Sequence, residues 1–269
     1  MRASRSISAR AMGPEGAREI ARSLPEEVAV AVTCNGSTQA VMMCTPADLE
    51  DFARGFALTE AYATPEQIAQ IELVELPQGI EARLWIADEA AAALGARRRM
   101  MLGPVGCGLC GIDSLEQAMR ALPRLACTLR LDWAEATEAV EALRAHQPLH
   151  DLTHAVHAAG FFVPGQGIVC AREDVGRHNA LDKLIGALLK AGIDPASGAI
   201  VMTSRVSVEL VQKAVVAGCG VLLAVSAPTA QALRMAEAAG LSVAGFARGG
   251  RIEIFTHPER ILGGNVDVA

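Results

Sequence analysis

The amino-acid sequence predicts an α/β protein with a smaller α+β part at its amino-terminal end. About the first hundred residues combine strand-like runs with one helical pattern, and beyond residue 112 strand-like and helical patterns alternate. Such alternation is typical of a mixed or largely parallel sheet covered by helices. We therefore expect a disordered tail over residues 1–24, a smaller α+β part over 25–111 and an α/β domain over 112–269.

Two strands and a helix are expected at the start of the α+β part. Residues 27–34 and 38–44 are apolar or alternating runs, and Asn35-Gly36 between them is a dipeptide that favours a tight hairpin turn. Thr45 offers an N-cap and Pro46 a first helical residue, so a helix is predicted to about residue 61. Further strands are expected over 68–76 and 81–87.

The second half begins with helices predicted over 114–121 and 134–145. Asp132 and Glu135 have the spacing of a capping box for the second of these helices. Alternating elements follow. The expected strands are 167–171, 199–203, 221–226, 242–246 and 252–255, and the expected helices are 178–191, 206–217 and 229–239.

The composition excludes some classes of function. The 269 residues are 51% hydrophobic, which is enough for a sizeable core, and the net charge of -6 provides no basic field for a nucleic acid. The most apolar stretch, 214–227, is too short to cross a bilayer. The amino-terminal residues lack the apolar run of a secretory signal, so we expect a cytoplasmic protein without a nucleic acid or membrane partner.

Cys107 and Cys110 lie in the glycine-rich segment GCGLCG, just before a predicted helix. Backbone amides near a helix start, with Arg97–Arg99 upstream, would stabilise a thiolate or a persulfide. A structural zinc half-site, a redox dithiol and incidental loop cysteines remain alternatives, although zinc lacks a second pair of ligands. The other cysteines lie in apolar segments and are expected to be packing residues: Cys34, Cys44, Cys127, Cys170 and Cys219.

Residues 172–183, REDVGRHNALDK, concentrate charge at a predicted strand-to-helix junction in an otherwise apolar half. His178 and Asp182 are four residues apart and share a helix face. The junction lies at the carboxyl end of a strand, where open α/β sheets bind ligands. A functional site is therefore favoured over an internal ion-pair network that fixes the loop.

Three further segments are candidates for ligand binding. His154 and His157 precede an apolar run, where they are either metal ligands or ordinary core and surface histidines. TSRVS at 203–207 opens a helix, where Arg205 and backbone amides can hold an anion. FARGGR at 246–251 either grips a phosphate and stacks a base or forms a tight hairpin turn.

These segments, in this order, resemble the formate dehydrogenase accessory sulfurtransferases of the FdhD/NarQ family. The markers are the early CNG hairpin, TPADLEDFARGFALTEA, GCGLCG, HAA at 157–159, REDVGRHNALDKLIG, SRVS and SAPT at 226–229. The resemblance covers nearly the whole chain from about Pro25. It implies a fold similar to cytidine deaminases, but the H-x-E and P-C-x-x-C pattern of zinc deaminases is missing, so deaminase chemistry is not expected.

The resemblance also implies roles, substrates and partners. Cys107 would accept a persulfide from a cysteine desulfurase and Cys110 would assist its release. The substrate would be the bis(molybdopterin guanine dinucleotide) molybdenum cofactor of a formate dehydrogenase catalytic subunit, with no permanently bound metal. The residues expected to contact or organise it are Phe246, Ala247, Arg248, Gly249, Gly250, Arg251, His157, Asp174, Arg177, His178 and Arg205.

Two departures from the family pattern fall on Thr153-His154-Ala155 and Thr203-Ser204-Arg205, where side chains replace glycines that let a backbone approach a ligand. A symmetric homodimer is expected because symmetric pairs are the commonest oligomers. The alternative function is a non-catalytic chaperone that binds the same cofactor and moves no sulfur. A third reading is a zinc-stabilised interaction protein.

Overall fold

The computed structural model describes residues 1–101 and 121–263. In these ranges an α+β part packs against a mixed α/β domain. The predicted boundary between residues 111 and 112 lies outside the described residues, as does the predicted helix at 114–121 except for its last residue. None of the helices within 1–101 and 121–263 is long and apolar enough to cross a membrane.

Residues 1–24, expected to be disordered, instead form most of a β-hairpin. Strands β1 (Ser4–Gly13) and β2 (Gly16–Pro25) pair antiparallel along their whole length, from Ser4 opposite Pro25 to Gly13 opposite Gly16. Because most of these side chains are small or charged and exposed, the hydrophobic pattern carried little signal. The turn residues Gly13 to Gly16, between two runs of equal length, were the overlooked indication of a hairpin.

The rest of the amino-terminal part is a four-stranded sheet covered by helices. Its elements are β3 (Val28–Cys34), β4 (Ser37–Cys44), α1 (Leu49–Thr59), β5 (Ile68–Leu76), β6 (Gly79–Ile86) and α2 (Asp88–Met101), with strand order β4-β3-β6-β5. The predicted hairpin turn is confirmed, since Asn35 and Gly36 both have positive φ. The Asn35 side chain also donates to the carbonyl of Ile86 and accepts from its amide, at 3.0 and 2.9 Å, which ties the turn to β6.

Helix α1 begins later than expected. Asp48, in a left-handed conformation, occupies the N-cap position without a capping hydrogen bond from its side chain. The hydroxyl of Thr45, predicted as the cap, instead accepts from the amide of Val175 at 3.1 Å. A tertiary contact with the α/β domain thus replaces the predicted N-cap interaction of Thr45.

The α/β domain is built on a six-stranded sheet with strand order β13-β12-β11-β10-β8-β9. Its elements are β7 (Leu131–Asp132), α3 (Trp133–Ala142), α4 (Pro148–Thr153), β8 (His157–Val163), β9 (Gly167–Asp174), α5 (Arg177–Ala191), β10 (Ala199–Met202), α6 (Val208–Val216), β11 (Val221–Ala224), α7 (Ala230–Ala239), β12 (Ser242–Arg248), β13 (Arg251–Thr256) and β14 (Ile261–Leu262). The Asp132/Glu135 capping box at α3 is confirmed.

The sheet is mixed rather than largely parallel. Strands β10, β11 and β12 are parallel, whereas β8, β9 and β13 run antiparallel to their neighbours. Strand β8 was not predicted from the sequence. It pairs with β9 as an antiparallel hairpin at one side of the sheet. Ile200 and Met202 of β10 face α5, α6 and α7, while Ala199 and Val201 face α3, so helices cover both faces.

The two parts meet where α1 crosses α5. Gly55 and Gly186 lie at the crossing, where a Cβ on Gly55 would stand 1.9 Å from the carbonyl oxygen of Asp182. Ion pairs also cross the interface, among them the partly buried Arg172 with the buried Asp51 at 2.7 Å. The two parts are therefore held together by direct helix contact and by paired charges.

Candidate functional site

The candidate site lies along the carboxyl ends of the parallel strands. Strands β10, β11 and β12 end at the same edge of the sheet, and β8 begins there because it is antiparallel to β10. His157 opens β8 and pairs with Asp174 at the end of β9. This edge, here called the carboxyl edge, therefore brings together the segments at 157, 174–178, 203–207 and 246–251.

Asp174 organises the carboxyl edge from beneath. It is completely buried, and its carboxylate lies 2.7 Å from the ammonium of Lys183, which is also completely buried. The same carboxylate accepts from the amides of Thr45 and Gly176 and from the side chain of Asn179, at 2.8 to 3.0 Å. The predicted contribution of Asp174 is thus a positioning one, since no part of its carboxylate faces solvent.

His178, on the first turn of α5, faces the start of α6. Its Nε2 lies 3.4 Å from the hydroxyl of Ser207 and 3.8 Å from the carboxylate of Glu209. Burial, followed by the positive charge of Arg177, lowers the pKa of His178 to about 4, so the imidazole is neutral at physiological pH. His178 and Asp182 lie on the same helix but do not form a pair, because Asp182 accepts from Lys213 and Thr59 instead.

Arg177 supplies a fixed positive charge beside two imidazoles. Burial and then Arg177 lower the pKa of His157 as they do that of His178. The Nε of Arg177 is buried and has no hydrogen-bond partner within the described part of the chain. A buried donor without an acceptor is costly, so an acceptor on a ligand at this edge would stabilise the arrangement.

Changing Arg177 to Gln is expected to raise the pKa of both His157 and His178, because it removes the neighbouring cation. Both values should stay below that of a free imidazole, since burial is the larger cause. NMR titration of the imidazole protons measures this directly. Arg205→Gln is the matched control, and an equal response to both changes would show that Arg177 does not act locally.

The segment 203–207 connects β10 to α6. Thr203 accepts from the amide of Ala158 at 2.9 Å, which ties the segment to β8. Ser207 occupies the N-cap position of α6 without a capping bond from its side chain. Arg205 between them is exposed and available to an anion. Sequence reasoning overlooked Glu209, whose position two residues after Ser207 in the first turn of α6 was the available signal.

The segment 246–251 is a hairpin between β12 and β13. Gly249 and Gly250 both have positive φ, as a tight turn requires, and Arg248 pairs with Arg251 across it. Phe246 has a φ of 49° and is 48% exposed, and its ring lies 6.2 Å from that of Phe255. The side chain of Ala247 is buried in the core, which leaves its backbone for the contact with the cofactor that is expected of this residue.

Cys107 and Cys110, the predicted sulfur-carrying pair, lie outside the described residues. Burial raises the pKa of Cys34 to about 11 and that of Cys219 to about 12, and raises that of Cys44 as well, so these thiols stay protonated. Among residues 1–101 and 121–263, no group of three or more His, Cys, Asp or Glu side chains is arranged to hold a metal ion.

Comparisons with known proteins agree on one family. The model of the FdhD/NarQ family matches residues 25–262. A sulfur carrier protein FdhD of Agrobacterium fabrum is 51% identical over 90% of this chain and 90% of its own, and one of Brucella abortus is 50% identical over 92% and 93%. The crystal structure of a putative formate dehydrogenase accessory protein from Desulfotalea psychrophila has a TM-score of 0.78 at 25% identity, covering 97% of this chain and all of that one.

Proposed function

Because this chain belongs to the FdhD/NarQ family, we propose that it is a cytoplasmic sulfurtransferase that carries sulfur as a persulfide on Cys107 and Cys110. The sulfur comes from a cysteine desulfurase and goes to the bis(molybdopterin guanine dinucleotide) molybdenum cofactor of a formate dehydrogenase. The cofactor is a substrate here, bound for the transfer and then passed on. We also infer that the α/β domain is of the cytidine-deaminase type.

The transfer needs two thiols. The Cys107 thiolate attacks the outer sulfur of the desulfurase persulfide, a new S–S bond forms, and the desulfurase cysteine leaves as a thiolate. Attack by the Cys110 thiolate on the inner sulfur then forms a Cys107–Cys110 disulfide and releases the outer sulfur as sulfide to the bound substrate. A thiol reductant returns the disulfide to two thiols by supplying two electrons.

The observation that carries the proposal for substrate binding is the buried, unpaired Nε of Arg177 beside two histidines. The neutral imidazoles of His157 and His178 can each donate one hydrogen bond, and the guanidinium suits phosphate oxygens. The exposed ring of Phe246, followed by Arg248 and Arg251, offers a stacking face and further positive charge. An anionic nucleotide derivative fits this combination of groups.

Intact mass after incubation with an active cysteine desulfurase and cysteine tests the carrier role. We expect the protein to gain the mass of one sulfur atom and to lose it on reduction, and we expect Cys107→Ala to abolish the gain. Cys110→Ala should retain the gain and release it slowly, because the attacking thiol is gone. Cys170→Ala is the control, since burial raises the pKa of that thiol.

Absence of a mass gain in the unaltered protein, with the desulfurase shown to be active, would contradict the carrier role. A non-catalytic chaperone that binds the same cofactor would then be the better account. That alternative also requires Cys107→Ala to support full formate dehydrogenase activity in cells. The sulfurtransferase and the chaperone therefore differ in the effect of Cys107→Ala on formate dehydrogenase activity. This difference does not depend on the affinity for the cofactor.

A further inference from the structure

Three histidines line one cleft beside the carboxyl edge. The cleft has a volume of about 450 Å³, and its lining residues are Gln147, His150, His154, Ala155, Val156, His157 and Thr203. None of these lining side chains is a carboxylate. His157 is one of the residues assigned to substrate binding above, whereas His150 and His154 have no role in that proposal.

His154 is held in a strained conformation. It ends α4 with a φ of 53°, in the left-handed region where glycine is the usual residue. A side chain there costs on the order of 1 kcal/mol, which glycine would avoid. Its ring packs edge-to-face against that of His150, with 5.5 Å between the ring centroids. The strained backbone places an imidazole on the wall of the cleft, and backbone strain of this kind is concentrated at ligand sites.

Hydrogen bonds hold both the backbone and the ring of His150. Glu173 accepts from the amides of Leu149 and His150, each at 2.8 Å, and so holds the first turn of α4. The Nδ1 of His150 lies 3.4 Å from the carbonyl oxygen of Val156, which requires that nitrogen to donate. In the neutral ring Nε2 is then an acceptor, so His150 positions the ring of His154 and does not donate to a phosphate oxygen.

The charges around the cleft favour an anion. Asp151, on the same helix, forms an ion pair with Arg144, and Glu173 is occupied by the two backbone amides. On the other side, Arg177 of α5 acts on His157 with its positive charge. A metal ion is not favoured, because the described residues hold no suitable group of three ligands. Phosphate oxygens accept hydrogen bonds from the N–H groups of imidazole and guanidinium side chains.

We propose that His154, positioned by the ring of His150, forms a phosphate subsite that extends the substrate site beyond His157. This inference rests on the proposed function, since it names the part of the nucleotide-bearing substrate that the cleft receives. The strained imidazole of His154 is then a specificity determinant of this chain.

Isothermal titration calorimetry with guanosine diphosphate and with inorganic pyrophosphate tests the subsite. His154→Gly should weaken binding by about tenfold, the equivalent of one charge-assisted hydrogen bond. Its thermal midpoint should not fall, because glycine relieves the strain at φ 53°. His146→Gln changes an exposed histidine that does not line the cleft, and should bind as the unaltered protein does.

The two probes separate the sources of the phosphate. If His154→Gly weakens the binding of guanosine diphosphate, the subsite is assigned to a nucleotide. If it weakens the binding of pyrophosphate alone, the subsite is assigned to free phosphate ions. Equal affinity of the unaltered protein and His154→Gly for both probes would overturn the proposal. The persulfide gain of His154→Gly should equal that of the unaltered protein, so loss of sulfur transfer and loss of the subsite are distinguishable.

Discussion

Gly55→Ala is expected to destabilise the protein by more than about 3 kcal/mol, although alanine is the better helix former. The added Cβ would lie 1.9 Å from the carbonyl oxygen of Asp182 and 2.8 Å from the amide nitrogen of Gly186. Both contacts are with backbone atoms, so no side-chain rotation can relieve them. Helices α1 and α5 must separate, and the packing between the two parts is lost with them.

Urea denaturation of the full chain measures this loss as a lower midpoint. Gly186→Ala should behave in the same way, because its Cβ would lie 1.8 Å from the carbonyl oxygen of Asp51. Gly13→Ala is the matched control, since nothing lies within 4 Å of a Cβ there, and it should change stability by less than about 0.5 kcal/mol. A Gly55→Ala protein as stable as the control would mean that α1 and α5 are not in close contact.

The helix crossing also shows where sequence reasoning stops. The apolar spacing of Leu49, Phe52 and Phe56 predicted α1, because periodicity is a local property of the chain. Gly55 and Gly186 are 131 positions apart, by subtraction of their numbers, and neither has a local reason to be glycine. Their role depends on the approach of two backbones, which only the tertiary structure reveals.

Local turn and cap signals predicted their elements well. The Asn35-Gly36 turn and the Asp132 cap were confirmed because each completes its hydrogen bonds within a few residues or fits a fixed turn geometry. Thr45 looked equally suitable as a cap, but its hydroxyl accepts from Val175 and its amide donates to Asp174. A tertiary partner can thus override a local capping preference.

The candidate site was predictable in location and less so in detail. Charge clustering over 172–183 indicated the strand-to-helix junction, and the structure puts that junction on the carboxyl edge. The structure confirms an internal ion pair between Asp174 and Lys183, while Arg177 and His178 remain partly accessible and their functional role stays a prediction. The tertiary structure decides which of these charged side chains are buried, and a buried charge leaves no distinctive pattern in the sequence.

Lys213→Met is expected to cost about 3 to 5 kcal/mol near neutral pH, because it leaves a buried carboxylate without its cation. Lys213 donates to both oxygens of Asp182 at 3.0 Å and to Glu60 at 2.8 Å, and its side chain is only 5% exposed. Burial alone would lower the pKa of Lys213, but Asp182 and Glu60 hold it above its usual value. Lys190→Met is the matched control. It removes the exposed pair with Glu50 and should cost less than about 1 kcal/mol.

The cost of Lys213→Met should also grow with pH. Burial raises the pKa of Asp182 to about 6, against the opposing effect of Lys213, so removal of the lysine must raise it further. Above pH 6 the carboxyl of the variant then stays protonated in the folded state and ionises on unfolding, so stability falls by up to about 1.4 kcal/mol per pH unit. Urea denaturation at about pH 5 and about pH 8 should show the larger loss at the higher pH.

A further Asp182→Asn change keeps an acceptor for Thr59 and removes the charge, so it should restore part of the stability and abolish this extra pH dependence. A loss that is the same at both pH values, and that Asp182→Asn does not relieve, would show that Lys213 acts through packing against Phe56 rather than through the ion pair.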